Sequence, residues 1–142
     1  MLRSLRTLPL RMRQHEKNAE TLAAFLKTQP YVQKVLYPGL PEHPGYEIQK
    51  KQATGFGGMI SFYVDTPERA KKILEGISLI QFAESLGGAE SLMTYPRTQT
   101  HADLTPEEAK EKGITDTLLR FSVGLEDVED LKEDLLSVFK NL

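Results

Sequence analysis

Helix-like and strand-like segments alternate along the whole chain, and this order constrains the fold more than any other feature of the sequence. Apolar residues recur at the spacing of one helix face between Ala19 and Leu26, so we predict a helix over about residues 8–27, which Pro30 ends. Further helices are predicted to begin near residues 67, 106 and 127. Four segments rich in β-branched and aromatic residues are predicted as strands: 31–37, 57–64, 79–83 and 118–123.

Two of the helix starts carry capping signals. Thr66 and Thr105 each precede a proline, which places a side-chain acceptor at the N-cap and proline at the first helical position. Glu108 follows Thr105 by three residues, so this pair can form a capping box. We expect residues 40–52 to be a loop that includes one helical turn at most.

The connections between these segments indicate the fold class. Several are too short or too loop-like for the right-handed crossovers that join parallel strands. We therefore predict an α+β domain, in which helices cover one face of a mainly antiparallel four-stranded sheet. The 142 residues are the size of one ordinary domain, and the order of the strands is left open.

Composition and charge exclude several classes of protein and site. The net charge of −2 argues against nucleic acid as a main partner, because phosphate binding needs a basic excess. No apolar run approaches the roughly 20 residues that cross a bilayer, so no membrane partner is expected. The chain has no cysteine, which excludes disulfides, thiol nucleophiles and cysteine-based zinc sites. A reducing cytoplasm is therefore the expected location.

The start of the chain is basic. Residues 1–15 contain four arginines and no acidic residue, a composition that also occurs in organellar transit peptides. We interpret this segment as the surface of a basic helix instead, because the same helical pattern continues beyond it.

Two segments are richer in small and polar residues than packing requires. In residues 83–92, a predicted strand leads to Gly87 and Gly88, which would let the backbone approach a ligand; a plain turn is the alternative. In residues 118–124, strand alternation sends Arg120 to the face opposite the core. Arg120 either forms a structural salt bridge or uses its planar fork to bind a carboxylate, such as that of an amino acid.

The three histidines show no metal-ligand spacing, so no metal site is expected. His15 lies on a polar helix face and His43 in a proline-rich loop, and we expect both to be solvated. His101 lies in a loop that could line a site. The glycine patterns of nucleophile elbows, P-loops and dinucleotide-binding turns do not occur, which removes support for those functions.

A series of motifs in a fixed order resembles a known family. The motifs are Ala83-Glu84-Ser85-Leu86-Gly87-Gly88, Glu90-Ser91-Leu92, Thr100-His101-Ala102, Gly113-Ile114 and Arg120-Phe121-Ser122-Val123-Gly124-Leu125-Glu126-Asp127, preceded by Leu5-Arg6-Thr7-Leu8-Pro9-Leu10-Arg11-Met12 and Asn18-Ala19. The series resembles the C-terminal domain of the Cys/Met-metabolism pyridoxal-phosphate enzymes. That family includes cystathionine γ-synthases, cystathionine lyases and methionine γ-lyases.

The resemblance implies the small C-terminal domain of a type I pyridoxal-phosphate-dependent transferase. It assigns residues 1–27 to the helix that joins the family's two domains and residues 28–142 to the substrate-side domain, within one structural unit. The family's Schiff-base lysine lies before the region that matches this chain. The resemblance therefore implies no catalytic or cofactor-binding residue here.

The resemblance also implies substrate-binding roles for individual residues. Arg120 matches the arginine that binds the substrate α-carboxylate, and Ser85 matches a serine on the same side of the pocket, with the Leu86 amide beside it. Glu84 matches a glutamate that selects and orients substrate in γ-synthases and γ-lyases. Thr100 matches a hydroxyl that lines the pocket.

The implied function is that of a domain or fragment of a transsulfuration enzyme. The combination of Glu84 with Gly87-Gly88 and Tyr95-Pro96 resembles a γ-synthase or O-acylhomoserine sulfhydrylase more than a β-lyase. The implied reaction is γ-replacement on an O-acylhomoserine. Pyridoxal 5'-phosphate belongs to the parent enzyme, so we expect neither bound cofactor nor turnover in this chain alone.

The alternative is a non-catalytic interaction module or a decayed remnant of a cystathionine lyase. The expected partners are an amino-acid substrate of homoserine or cysteine type, an N-terminal pyridoxal-phosphate domain if the enzyme is split, and a second copy of the chain. In the absence of such a domain, we expect exposed apolar surface at Leu86, at Leu118 and on the first helix.

Overall fold

The computed structural model describes residues 2–142 as six helices and five strands. The elements are, in chain order, α1 (Leu2–Leu5), α2 (Leu8–Lys27), β1 (Val32–Leu36), α3 (Tyr46–Gln52), β2 (Met59–Val64), α4 (Pro67–Gly76), β3 (Gln81–Phe82), β4 (Leu92–Thr94), α5 (Pro106–Glu111), β5 (Leu118–Ser122) and α6 (Val128–Phe139). Helix α2 has the predicted bounds, whereas α3 is a helix of 7 residues where one turn at most was expected. Within this part of the chain, no helix is both long and apolar enough to cross a bilayer.

The strands form one sheet in the order β1-β2-β5-β4-β3. All neighbouring pairs are antiparallel except β3 and β4, which are parallel. The predicted α+β class and mainly antiparallel sheet are confirmed, but the prediction of four strands is wrong by one. The unpredicted strand is β4, which is only 3 residues long and buried at every position, so it lacks the alternation of a half-buried strand.

One face of the sheet packs against α2, α4 and α6 to form the core. Alternate residues of β2 and β5 point toward these helices, and Ile60, Phe62, Leu119 and Phe121 have no exposed surface. The helices contribute apolar stripes: Ala19, Leu22, Ala23 and Leu26 of α2, Ala70, Ile73 and Leu74 of α4, and Leu131, Leu135, Val138 and Phe139 of α6. Removing these side chains from water is the main favourable term in folding, at roughly 25 cal/mol per Å² of apolar area.

The predicted helix caps are present. Thr66 Oγ1 accepts a hydrogen bond from Arg69 N at 3.2 Å and so caps α4. Thr105 and Glu108 form the predicted capping box at the start of α5, in which Glu108 Oε2 accepts from Thr105 N at 2.9 Å. These starts are determined locally, because each cap needs only residues within one turn.

Helix α2 is tied to the end of β5 by two polar side chains. His15 Nδ1 lies 2.7 Å from Val123 O, and Asn18 Nδ2 donates to Gly124 O at 3.1 Å. Only 4% of His15 is exposed, so the expectation that it is solvated is wrong. The partner that covers it is distant in sequence and invisible to a helical pattern. His43 is partly exposed in its loop.

The face of the sheet opposite the core carries polar residues at β4 and β5. Thr94 pairs across the strands with Arg120, and Leu92 pairs with Ser122, so that these four side chains share this face. Three of them are buried, whereas Arg120 is half-buried. Arg120 is the predicted substrate-binding residue that lies on this face.

This face is covered at one end. Leu118 was expected to be exposed, but only 8% of it is. Its cross-strand neighbour Tyr63 donates a hydrogen bond to Gly113 O at 2.8 Å, so the segment after α5 lies over this end of the sheet. The chain thus supplies its own cover for Leu118, and the expectation of exposure is wrong.

Candidate functional site

Arg120 is the central feature of the candidate site. Its Nη2 donates a hydrogen bond to Thr94 Oγ1 at 3.2 Å. Among residues 2–142, no carboxylate forms an ion pair with Arg120, and its buried Nε has no hydrogen-bond partner. The structural salt bridge that was one alternative for Arg120 is therefore not formed in this part of the chain. Because an unpaired cation and an unsatisfied N–H are costly to bury, the arrangement favours binding of an anionic group.

Residues 83–88, here called the site loop, are attached at both ends to the face that carries Arg120. At one end, Ala83 O accepts a hydrogen bond from Thr94 Oγ1 at 2.8 Å. At the other end, Gly87 N donates to Ser122 Oγ at 2.8 Å. Gly87 has a φ of +73°, a left-handed conformation that favours glycine. The loop is therefore held across β4 and β5.

The segment after the site loop is fixed against the end of β5. Glu126 accepts hydrogen bonds from Ser91 N at 2.6 Å and from Ser91 Oγ at 2.8 Å. Ser91 Oγ also accepts from Gly124 N at 2.8 Å. A Cβ at Gly124 would collide with the carbonyl oxygen of Ala89, so glycine is needed for this close approach. These hydrogen bonds fix the position of the chain where it leaves the site loop.

The structure places the predicted substrate-binding residues in two groups. Glu84, Ser85 and Leu86 lie in the site loop and are exposed, and within residues 2–142 the side chains of Glu84 and Ser85 form no hydrogen bond. The hydroxyl of Thr100 lies 2.7 Å from His101 Nδ1 and 3.4 Å from Pro96 O, so its hydrogen-bond partners belong to its own segment. The described chain thus attaches the site loop to the sheet face that carries Arg120 but gives Thr100 no hydrogen bond to the loop or to Arg120.

Tyr95 anchors the chain where it leaves β4. It is 5% exposed, and its hydroxyl donates to Asp116 O at 2.7 Å. Burial, and then the charge of Asp116, raises the pKa of Tyr95 above its usual range. The raised pKa favours the protonated hydroxyl, which is the form that donates to Asp116 O.

A small apolar cavity lies between α2 and the site loop. Its volume is about 190 Å³, and its lining includes Met12, His15, Leu86 and Val123. Leu86 is 56% exposed and Met12 is 42% exposed. The expectation of exposed apolar surface at Leu86 and on the first long helix is therefore confirmed.

Two residues of this site were not selected as candidates from the sequence. Ser122 belongs to the same sequence motif as Arg120, but no role was expected for it. Thr94 could not be placed at all, because β4 was not predicted. Thr94 could have been placed only by predicting a strand between β3 and β5. The three residues of β4 are all buried and therefore show no strand pattern in the sequence.

The resemblance implies pyridoxal phosphate, and the described residues do not fit its covalent attachment. A lysine that forms a Schiff base is usually desolvated or lies beside another cation. Ten of the eleven lysines are exposed, and the half-buried Lys132 pairs with Glu129 on α6. No lysine of residues 2–142 hydrogen-bonds to Thr94 or the site loop, since the lysine hydrogen bonds go to Glu42 and Glu129. The described lysines therefore show no candidate for the cofactor's attachment point.

Comparison with known proteins relates this geometry to enzymes. The 142 residues are 50% identical over 141 residues to the cystathionine γ-synthase of Haemophilus influenzae, covering 99% of this chain and 34% of that protein. They are 49% identical over 135 residues to the cystathionine γ-lyase of Dictyostelium discoideum, covering 94% of this chain and 35% of that protein. The chain therefore spans about a third of the length of these relatives.

The fold and the family agree with these relatives. The crystal structure of cystathionine γ-synthase from Xanthomonas oryzae pv. oryzae in complex with cystathionine matches with a TM-score of 0.93 and 42% identity, over 98% of this chain and 36% of that one. The matching part is the C-terminal domain of that structure. The family profile described as Cys/Met metabolism PLP-dependent enzyme matches residues 1–140. This chain belongs to the Cys/Met-metabolism pyridoxal-phosphate-dependent enzyme family and corresponds to the C-terminal region of its cystathionine γ-synthase and γ-lyase members.

Proposed function

We propose that this chain forms the substrate-carboxylate side of a transsulfuration site of the cystathionine γ-synthase kind. The observation that carries the proposal is Arg120, a half-buried guanidinium without a carboxylate partner in residues 2–142. Its planar fork matches a carboxylate through two parallel hydrogen bonds, which a lysine ammonium cannot provide. The ligand is then the α-carboxylate of an amino acid, and the reaction is γ-replacement on an O-acylhomoserine.

The site loop supplies further substrate contacts in this proposal. Ser85 and the backbone amide of Leu86 approach the carboxylate that Arg120 binds, and Glu84 orients the rest of the substrate. Two observations support these roles: the loop is attached to the Arg120 face through Ala83 O and Gly87 N, and its side chains are exposed. Thr100 lines the pocket without a hydrogen bond to the loop.

Turnover requires a second segment of protein that carries pyridoxal phosphate. That cofactor supplies the electron sink of the chemistry when it is bound. Arg120 binds and orients a substrate but cannot accept electrons, and the lysine hydrogen bonds of residues 2–142 go to Glu42 and Glu129 instead of the site loop. The proposed partner is a domain equivalent to the rest of the relatives, and its absence would leave the 142 residues without turnover.

A chimera tests the proposed function. Residues 2–142 replace the corresponding third of the Haemophilus influenzae enzyme, and cystathionine formation from an O-acylhomoserine and cysteine is measured. Arg120→Ala should raise KM for the O-acylhomoserine. It should lower kcat/KM by roughly 30- to 1,000-fold, because loss of a buried bidentate charge pair costs about 2–4 kcal/mol.

Two variants serve as controls for this experiment. Arg120→Lys keeps the charge without the fork and should fall between the parent chimera and Arg120→Ala. Arg69→Ala removes an arginine of α4 that pairs with Asp65 outside the site, and kcat/KM should stay within twofold. An unchanged KM in Arg120→Ala would remove Arg120 from the substrate site. A folded chimera that binds pyridoxal phosphate but forms no cystathionine would contradict the proposed reaction.

A cystathionine lyase is the second candidate, because one observation favours it equally. The identity to the γ-lyase of Dictyostelium discoideum is 49%, against 50% for the γ-synthase of Haemophilus influenzae. Both kinds of enzyme need the same carboxylate site, so Arg120 does not distinguish them. Cystathionine cleavage measured with the same chimera does, since a lyase would release a thiol without an O-acylhomoserine.

A non-catalytic module that associates with itself is supported by a different feature. Phe82 of the edge strand β3 is 51% exposed, and Leu86 of the site loop is 56% exposed. Surface of this kind promotes association when no partner covers it. Sedimentation of the 142-residue chain over a range of concentrations tests this, and a strict monomer would argue against a homo-oligomer.

A further inference from the structure

We propose that Thr94 is a positioning residue, whose buried hydroxyl orients the guanidinium of Arg120 and fixes the start of the site loop beside it. The inference rests on the proposed function of Arg120. Thr94 forms the last residue of β4, between the strand that leads into the site loop and the strand that carries Arg120. It is 1% exposed, so its hydroxyl can bond only to the protein around it.

The direction of the two hydrogen bonds follows from the single proton of a hydroxyl. Thr94 Oγ1 lies 2.8 Å from Ala83 O, which can only accept, so Thr94 donates its proton there. The lone pairs of the same oxygen then face Arg120 Nη2 at 3.2 Å, which can only donate. The hydrogen bond to Ala83 O thus fixes the direction from which Thr94 Oγ1 accepts the hydrogen bond of Arg120 Nη2.

Thr94 holds the arginine without neutralising it. A carboxylate in its place could orient the guanidinium, but its negative charge would compete with an arriving substrate carboxylate. The threonine hydroxyl is uncharged and occupies one of the five N–H groups of the arginine. The buried Nε of Arg120 keeps its hydrogen-bonding capacity, since it has no partner in residues 2–142.

The backbone around Thr94 is suited to this role. Thr94 pairs directly with Arg120 across β4 and β5, and Ala83 N donates to Met93 O at 3.0 Å, so three neighbouring segments are in register at this point. A β-branched side chain such as threonine has few rotamers, and burial restricts it further. One side chain therefore couples the position of the site loop to that of Arg120.

Thr94→Val and Thr94→Ser separate positioning from packing. Valine keeps the branched shape but removes the hydroxyl, and serine keeps the hydroxyl. In the chimera, Thr94→Val should raise KM for the O-acylhomoserine about tenfold with a smaller change in kcat, because an oriented hydrogen bond to a charged group is lost. Thr94→Ser should stay within about threefold of the parent.

A double-mutant cycle tests whether Thr94 acts through Arg120. In the Arg120→Ala background, Thr94→Val should have little further effect on kcat/KM, because the group that it positions is gone. An equal loss from Thr94→Val in both backgrounds would overturn the inference. Loss of activity from Arg120→Ala together with full activity of Thr94→Val would also overturn it, while leaving the proposed function intact. An unaffected Arg120→Ala would instead contradict the proposed function.

NMR of the 142-residue chain gives a reading that is independent of activity. The side-chain N–H signals of Arg120, assigned by their loss in Arg120→Lys, report how fast the guanidinium rotates. Slow rotation is expected in the parent and in Thr94→Ser, and faster rotation in Thr94→Val. Equally slow rotation in Thr94→Val would show that Thr94 does not orient Arg120, whatever the enzyme assay gives.

Discussion

At the scale of single residues, Tyr37 is an ionisable side chain whose folded environment opposes its charge. It is 1% exposed, and its hydroxyl donates to Gly57 O at 3.0 Å. Burial, and then the negative charges of Glu20 and Glu16, raises the pKa of Tyr37 far above its usual range. The folded chain therefore holds this phenol proton more tightly than the unfolded chain does.

The pH dependence of stability follows from that difference. Below about pH 10 both states keep the proton, and the contribution of Tyr37 to stability is fully present. Above about pH 10 only the unfolded chain ionises, so the free energy of unfolding falls, by at most about 1.4 kcal/mol per pH unit. Urea unfolding from pH 8 to pH 11 should show that Tyr37→Phe loses less stability than the parent.

Tyr46→Phe is the matched control for this experiment. Tyr46 stacks on Phe56 with ring centroids 5.3 Å apart, and phenylalanine keeps that contact. The free energy of unfolding of Tyr46→Phe should fall with pH as steeply as that of the parent. An identical slope in Tyr37→Phe and the parent would mean that Tyr37 ionises in the folded state as it does in the unfolded state.

The sequence allowed prediction of residues whose role depends on local pattern. Arg120 was placed on the outer face by strand alternation alone, and the capping pair of Thr105 and Glu108 by its spacing. His15 was misplaced, because its partner Val123 lies 108 residues further along the chain. Polar contacts between distant elements carry no local signature, so the sequence could not supply them.

At the scale of elements, the helices were easier to predict than the strands. Helix α2 has a long apolar period and a proline after its end, and both boundaries follow from that. Strand β4 has three buried residues, and its hydrogen-bond partners come from β3 and β5. A strand of this kind is defined by its neighbours and not by its own pattern.

The three residues that precede β3 are held by one carboxylate of α6. Asp134 is 7% exposed and accepts hydrogen bonds from Ser78 N at 2.9 Å, Leu79 N at 3.1 Å and Ile80 N at 2.9 Å. The hydroxyl of Ser78 donates to it as well, at 3.0 Å. This carboxylate thus replaces the strand pairing that the backbone lacks before β3 begins.

Asp134→Asn should destabilise the chain by about 1–3 kcal/mol, because an amide presents a donor to backbone N–H groups in place of one acceptor oxygen. Urea unfolding of the 142-residue chain measures the change. Glu133→Gln is the matched control, since Glu133 is exposed on the same helix, and its change should stay within about 0.5 kcal/mol. Equal stabilities of the two variants would mean that Asp134 does not hold this segment.

At the scale of the whole molecule, α2 belongs to the same core as the sheet. The resemblance assigned residues 1–27 to an interdomain helix, of which Met1 lies outside the described residues. The structure buries Ala19, Leu22, Ala23 and Leu26 completely in one cluster with β2, β5 and α6. A helix that supplies this much apolar surface is part of the folding unit, whatever it joins in a longer enzyme.

Two N-terminal truncations should therefore behave differently. Removal of residues 1–7 deletes α1, which buries no residue, and the free energy of unfolding should change by less than about 0.5 kcal/mol. Removal of residues 1–27 deletes four fully buried apolar side chains, including two leucines. Truncation of one buried leucine to alanine already costs about 2–5 kcal/mol, so the shorter chain should lose its folded state, whose total stability is of order 5–15 kcal/mol.

Leu22→Ala removes a smaller part of the buried apolar surface of α2 within the 142-residue chain. It should lower the free energy of unfolding by about 2–5 kcal/mol without a change in the urea m-value, because the same cooperative unit still unfolds. Circular dichroism and urea unfolding measure all three variants. If residues 28–142 alone unfold cooperatively with the parent's stability, then α2 is an appendage and the core is complete without it. If residues 28–142 alone do not fold, then α2 is required for the sheet face that carries Arg120. His15 and Asn18 of α2 would account for this, because they hold the end of β5.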